Sequence, residues 1–156
     1  MMQYVLETNA LTKRYKNFTA LNGLTMHIPK GSIYGFVGRN GAGKTTLIRL
    51  ICGLQEPDSG SYRIYGIKNT DPQIVRSRRR MGAVVETPSI YLDMNARDNI
   101  RQQYQILGIP SENGIDELLQ LVGLSDTGNK KAKNFSLGMR QRLGRCEIFS
   151  VNLNLL

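Results

Sequence analysis

Alternating apolar and polar residues dominate the first third of the chain and predict β-strands. The predicted strands cover residues 4–8, 10–15, 21–28, 32–37, 61–65 and 81–85. The run at 32–37 differs from the others because it is almost continuously apolar, which is typical of a strand buried in a parallel sheet. We therefore expect alternating strands first and a buried strand after them.

Helical spacing of apolar residues predicts four helices, over residues 45–51, 71–80, 96–107 and 115–122. Asn95 is a suitable cap for the third helix, and Gly108 lies where that helix should end. The pattern between residues 87 and 135 is mainly helical, so we predict a helical subdomain there. The mixture of strands and helices indicates the α/β class.

Composition limits the classes of protein that fit. The chain has 156 residues, enough for one domain with a hydrophobic core. It has no run of about 18 apolar residues, and its N-terminus lacks the features of a secretion signal, so we expect neither a membrane span nor secretion. Cys52 and Cys146 are far apart and have no metal-site spacing, which suggests a reducing, cytosolic setting.

The net charge of +9 indicates an anionic partner such as nucleic acid, an acidic membrane or a nucleotide. Basic residues cluster at 76–80 and at 130–133. No aromatic residues alternate with these arginines, as they would on a base-stacking platform, so a solvated face is favoured for both clusters. We therefore expect no nucleic-acid partner.

A glycine-rich loop between the predicted strand 32–37 and the predicted helix 45–51 carries the strongest chemical signal. It reads Gly38, Arg39, Asn40, Gly41, Ala42, Gly43, Lys44 and Thr45, and Thr46 follows. Its spacing matches the phosphate-binding Walker A pattern G-x-x-x-x-G-K-[ST]. The glycines let backbone N–H groups point at phosphate oxygens, Lys44 can reach the β- and γ-phosphates, and the Thr45 hydroxyl can bind Mg²⁺. These residues predict a site for the phosphates of a nucleotide with Mg²⁺.

A second motif follows Phe135 and has the pattern of a helix start. The residues that carry it are Ser136, Leu137, Gly138, Met139, Gln141 and Arg142. Ser136 is placed as an N-cap, so its hydroxyl and the first free N–H groups of the helix could face an anion. An ordinary capped helix is the alternative, and the phosphate-binding loop earlier in the chain disfavours it.

Together the two motifs resemble those of ABC-type ATPases, whose signature reads Leu-Ser-Gly-Gly-Gln-x-Gln-Arg. Ser136, Gly138, Gln141 and Arg142 keep that pattern, whereas three other positions of the motif depart from it. The resemblance covers about residues 4–144. It implies an incomplete P-loop NTPase fold, with an antiparallel β subdomain, a partial parallel core sheet and a helical subdomain.

The same resemblance implies roles for two further residues. Tyr15 corresponds to an aromatic residue that stacks on adenine, with simple packing as the alternative. Glu86 stands where most members have the Q-loop glutamine, which contacts Mg²⁺ or water and links the nucleotide to the membrane partner. This change, with the sequence Phe-Ser-Leu-Gly-Met, resembles the branch that exports bacitracin-like or lantibiotic peptides.

The family resemblance also implies partners. Two nucleotide-binding domains close head to tail as a homodimer, and the signature of each contacts the γ-phosphate of ATP bound to the other. A separate permease holds the domains at the inner face of the cell membrane, so we expect a cytoplasmic, membrane-peripheral location. The predicted function is the ATP-binding subunit of an ABC transporter that exports antimicrobial peptides or drugs. The alternatives are a non-transport ABC ATPase of translation or DNA repair, and a fragment without function.

The resemblance ends after Gly144. No Walker B aspartate, adjacent glutamate or switch histidine follows, and the only histidine, His27, precedes the loop. We therefore expect no catalytic residues, a poorly held Mg²⁺ and no ATP hydrolysis. We interpret residues 1–156 as one truncated domain and residues 145–156 as a tail read out of frame, with a natural terminus or a trimmed chain as the alternative. A strand at 32–37 without neighbours would also favour aggregation.

Overall fold

The computed structural model describes residues 3–85 and 89–153, the side chains of residues 147 and 149–153 excepted. The chain divides into two compact units, Met1–Arg79 and Arg80–Leu156. Among the described residues, no helix is long and apolar enough to cross a membrane.

A four-stranded antiparallel sheet forms the first unit, with strand order β2-β1-β3-β4. Its strands are β1 (Tyr4–Tyr15), β2 (Phe18–Pro29), β3 (Ser59–Ile64) and β4 (Ile67–Lys68). The two runs predicted at 4–8 and 10–15 form one strand. The backbone is irregular at Ala10, with φ 47°, and the pairing with β2 resumes after it. Two helices accompany the sheet, α1 (Lys44–Ile51) and α2 (Ile74–Arg78).

The core of this unit lies between the sheet and the helices. The sheet contributes Leu11, Leu21, Met26, Tyr62 and Ile64, and the helices contribute Leu47, Leu50, Ile51 and Ile74. The hydroxyl of Tyr62 donates to the carbonyl of Leu50 at 2.8 Å, which satisfies a carbonyl near the end of α1. Most apolar residues of the alternating pattern that predicted the strands therefore face this core, and most of the polar residues between them face solvent.

The prediction of a strand at residues 32–37 is wrong. Residues 32–37 have no regular secondary structure, and Val37 is 95% exposed. Residues 81–85 are likewise irregular, so the expected parallel core sheet is not formed by residues 3–85 and 89–153. The reason is that a strand requires a hydrogen-bonded neighbour, and no described strand pairs with either run. The helix predicted at 71–80 is also shorter, because α2 covers only Ile74–Arg78.

The second unit is helical in its described part. It contains α3 (Ala96–Leu107), α4 (Ile115–Leu121), short 3₁₀ turns at Ser125–Thr127 and Ala132–Asn134, and α5 (Leu137–Leu153). Asn95 caps α3 as predicted, since its side chain accepts a hydrogen bond from the backbone N–H of Asp98 at 2.8 Å. Gly108, with φ 71°, ends the same helix. A cluster around Ile100, Tyr104 and Leu119 forms the core of this unit.

Candidate functional site

The glycine-rich loop enters α1 through Gly43, whose φ of 82° places it in the left-handed region. A Cβ at this position would lie 2.2 Å from the carbonyl oxygen of Ala20 and 2.9 Å from Cδ2 of Leu21. The loop therefore rests directly on β2, and glycine is required for both the turn and the close approach. Gly41 also has a positive φ, 84°, but a Cβ there would meet nothing within 4 Å.

The first turn of α1 presents unsatisfied backbone donors. The N–H groups of Lys44, Thr45 and Thr46 lie at the start of the helix, where no intrahelical acceptor exists. In the part of the chain that the structure describes, no side chain caps this end, because the N-cap residue is Gly43. The arrangement leaves several N–H groups and the positive end of the helix dipole available to one anion.

The side chain of Lys44 folds back over the loop. Its ammonium group donates to the carbonyl oxygens of Gly38 at 2.5 Å and Arg39 at 2.8 Å. The backbone N–H of Ala42 donates to the Arg39 carbonyl at 3.1 Å, which closes a turn in the middle of the loop. The ammonium group is therefore held against two loop carbonyls, which it can exchange for a phosphate oxygen.

A pocket of about 380 Å³ opens over the loop. Its walls are Asn40, Gly41, Ala42, Gly43, Lys44, Thr45 and Thr46, together with Phe18 and Ala20 from β2. Phe18 is 55% exposed, which is unusual for a large apolar side chain, and sequence reasoning did not select it. Its place opposite Tyr15 in the β1–β2 hairpin is known only from the strand register of the structure.

Tyr15 lies at the end of β1 and pairs with Phe18, which lines the pocket. Its ring is partly exposed, and the Lys13 ammonium group lies 5.8 Å from the centre of one ring face. Its hydroxyl donates to Oε1 of Gln55 at 2.5 Å. The structure thus places the predicted aromatic residue next to the pocket, whereas Glu86 lies outside the described residues.

The second motif starts α5 in the other unit. The Ser136 hydroxyl accepts a hydrogen bond from the N–H of Met139 at 3.2 Å, so Ser136 caps the helix as predicted. Leu137, Gly138 and Gln141 are exposed. Phe135, by contrast, is buried in the helical core. The apolar position at 135 anchors the helix start, and the three residues after it face solvent.

Two arginines stabilise the backbone around this helix start. Arg140 donates to the carbonyls of Ala132 at 3.2 Å and Lys133 at 2.6 Å. Arg142 donates to the carbonyls of Val122 and Gly123, at 3.1 and 3.0 Å. Both arginines of this turn of α5 therefore supply donors to loop carbonyls that need them.

The profile of the ABC transporter family matches residues 21–156, so the chain belongs to that family. It is 43% identical to a bacitracin transport ATP-binding protein of Bacillus licheniformis, over 92% of this chain and 46% of the relative. It is 39% identical to a lantibiotic transport ATP-binding protein of Streptococcus pyogenes, over 90% of this chain and 59% of the relative. The chain thus spans about half the length of the curated relatives it matches.

A solved structure described as an ATP-binding subunit of an ABC transporter has the same fold. The TM-score is 0.79 at 28% identity, over 94% of this chain and 62% of that one. The family and the α/β class that the sequence predicted are therefore confirmed. The chain covers only part of the ABC domain, and the sheet formed by its described residues is antiparallel.

Proposed function

We propose that this chain is the ATP-binding subunit of an ABC transporter and that residues 38–46 hold the phosphates of ATP. The open N-terminus of α1 is the observation that carries the proposal. The N–H groups of Lys44, Thr45 and Thr46 have no intrahelical acceptor, and Gly43 brings no capping side chain. A phosphate bound there accepts these donors and interacts favourably with the helix dipole.

The rest of the nucleotide fits the surroundings of the loop. Lys44 exchanges the two carbonyls that it contacts for phosphate oxygens, which are stronger acceptors because they are charged. The adenine lies at the β1–β2 hairpin, with Tyr15 as its stacking residue and Phe18 beside it.

Magnesium would be held by the hydroxyl of Thr45 together with phosphate oxygens. Mg²⁺ prefers such oxygen ligands and commonly retains water, so one protein oxygen in the first turn of α1 fits this demand. Among residues 3–85 and 89–153, no group of three or more acidic, histidine or cysteine side chains forms a separate metal cage. The bound ion would neutralise phosphate charge, and we propose Glu86 as a further ligand on the basis of family resemblance alone.

We propose that the signature residues contact nucleotide bound to a second copy of the domain, which gives a homodimer. Ser136 caps α5, and Leu137, with 72% of its surface exposed, and Gly138 leave the start of that helix accessible. Accessible N–H groups at a helix start suit a γ-phosphate as they suit any anion.

The relatives support a role in export of antimicrobial peptides or drugs. Two of them act, by their names, in bacitracin and lantibiotic transport, and their identity to this chain is 43% and 39%. We propose that this subunit works with a separate membrane permease and therefore lies in the cytoplasm at the inner face of the membrane. ATP binding would then be coupled to a substrate path in the permease.

We propose further that the polypeptide of residues 1–156 binds ATP without hydrolysing it. No aspartate follows the signature in this sequence, so the usual carboxylate for Mg²⁺ and the neighbouring base for water are not supplied. Binding uses the loop and the stacking aromatic residue, whereas hydrolysis also needs a positioned water.

Calorimetric titration of the 156-residue polypeptide with ATP tests the binding proposal. Lys44→Ala should weaken ATP binding by about tenfold or more, because a charge-assisted hydrogen bond is worth about 1.5–3 kcal/mol. Lys30→Ala removes an exposed lysine after β2 and is the matched control, with unchanged affinity expected. Equal affinity of the Lys44→Ala and parent proteins would contradict the proposal. Phosphate release above that of Lys44→Ala would contradict the absence of hydrolysis.

A further inference from the structure

The segment between α1 and β3 is tied to the end of β1 by hydrogen bonds, among them one from the Lys13 ammonium to Oδ1 of Asp58 at 3.4 Å. The N–H of Asp58 donates to the Thr12 carbonyl at 3.0 Å, and the Asp58 carboxylate accepts from the N–H of Arg14 at 2.5 Å. The ammonium of Lys13 donates to the Glu56 carbonyl at 2.7 Å. These bonds join residues 56–58 to the three residues that precede Tyr15, so the two segments are held together just before the aromatic side chain.

A further hydrogen bond reaches the Tyr15 side chain itself. Its hydroxyl donates to the amide oxygen of Gln55 at 2.5 Å. The Lys13 ammonium group lies over one face of the ring, 5.8 Å from the centroid. With its hydroxyl anchored and one face covered, the ring has one face left for stacking.

The anchor is also connected to the phosphate-binding end of α1. Gln55 follows this eight-residue helix, whose first turn carries the free N–H groups. The far end of α1 is fixed, because Arg78 donates to the Ile51 carbonyl at 3.2 Å and Tyr62 donates to the Leu50 carbonyl at 2.8 Å. Since a helix is rigid over two turns, the residue that holds the ring and the loop that holds the phosphates belong to one frame.

We propose that Gln55 is a positioning residue for the nucleotide base: by accepting the Tyr15 hydroxyl it orients the ring to stack on adenine. This inference rests on the proposed function, because it requires ATP in the loop and adenine on Tyr15. A ring that is already oriented loses less side-chain freedom on binding, and base stacking then contributes more of its energy to affinity. Gln55 does not touch the nucleotide and acts through Tyr15.

The test compares ATP with inorganic tripolyphosphate, which keeps the phosphate contacts and has no base. Gln55→Ala should weaken ATP binding by about two- to tenfold, the range of one hydrogen bond, and leave tripolyphosphate affinity within about twofold of the parent. Tyr15→Phe keeps the ring but removes the donor, so it should show the same selective loss. The double variant should lose no more ATP affinity than either single variant.

Two further variants separate positioning from general damage. Gln55→Glu keeps an acceptor oxygen and should retain most of the ATP affinity. Glu56→Ala removes a neighbouring exposed side chain that accepts no hydrogen bond from Tyr15. It should change the affinity for neither ligand, since the contact of Glu56 with Lys13 is made by its backbone carbonyl. Unchanged ATP affinity in Gln55→Ala, additive losses in the double variant, or equal losses for both ligands would overturn the proposal. Failure of the proposed function has a different result, namely that Lys44→Ala leaves tripolyphosphate and ATP binding as in the parent.

Discussion

Gly43 offers the sharpest test of how the loop is held. Gly43→Ala adds one methyl group at a position with φ 82°, and that group would lie 2.2 Å from the backbone oxygen of Ala20. Gly41→Ala is the matched control, because Gly41 has nearly the same φ, 84°, but open space around its Cβ direction. Both variants carry the backbone penalty, and only one carries the clash.

The magnitudes follow from these two terms. An alanine in the left-handed region costs about 1–2 kcal/mol, which is the whole effect expected for Gly41→Ala. Overpacking adds about 1–3 kcal/mol, so Gly43→Ala should destabilise the protein by about 2–5 kcal/mol. The clash is with backbone on β2, which cannot move aside as a flexible side chain would.

Urea unfolding followed by far-ultraviolet circular dichroism measures the stability term, and ATP titration measures the state of the loop. If the loop withdraws from Ala20 instead of destabilising the sheet, the penalty appears as weaker ATP binding, by about tenfold for each 1.4 kcal/mol. In either case Gly43→Ala should be worse than Gly41→Ala. Equal losses of both stability and ATP affinity in the two variants would refute the packing of the loop on β2.

Three other predictions follow from single contacts. Asn95→Ala should lower the free energy of unfolding of the protein, measured by urea titration, by about 1 kcal/mol, because it removes the N-cap of α3. The backbone N–H of Arg14 holds the pKa of Asp58 below its usual value. The Asp58 carboxylate therefore stabilises the fold at pH values above its usual pKa, and this contribution is lost as the pH falls through the lowered pKa. Asp58→Asn should flatten the acid limb of a stability–pH curve. Tyr62→Phe should lower the melting temperature, because it removes the buried hydrogen bond from the Tyr62 hydroxyl to the Leu50 carbonyl. Tyr104→Phe should leave the melting temperature unchanged or raise it, because the Tyr104 hydroxyl is buried and has no hydrogen-bond partner in the described structure.

The exposed run at 32–37 has a consequence for handling of the protein. Ile33 and Val37 are almost fully exposed, and the run has no strand neighbour among the described residues. Unpaired apolar backbone of this kind pairs readily with another chain. The aggregation predicted from the sequence therefore stays a prediction, and light scattering of the purified polypeptide at increasing concentration would test it.

The sequence alone determined the features that depend only on residues close together along the chain. The glycine-rich loop is one of them, because the pattern from Gly38 to Thr46 is contiguous in the sequence and no distant residue has to be known to recognise it. The caps at Asn95 and Ser136 are similar, since each accepts from an N–H three residues later. Alternation also predicted β1, β2 and β3, because each has one buried face, whereas the two-residue strand β4 was not predicted.

The tertiary structure decided the features that join distant parts of the chain. Gln55 meets Tyr15 from forty residues away, and nothing in either local sequence indicates that contact. Phe18 and Ala20 became part of the site only because β2 passes under the loop. The run at 32–37 has the residues of a buried strand, but whether such residues form one depends on a hydrogen-bonded neighbour, which an apolar pattern cannot supply.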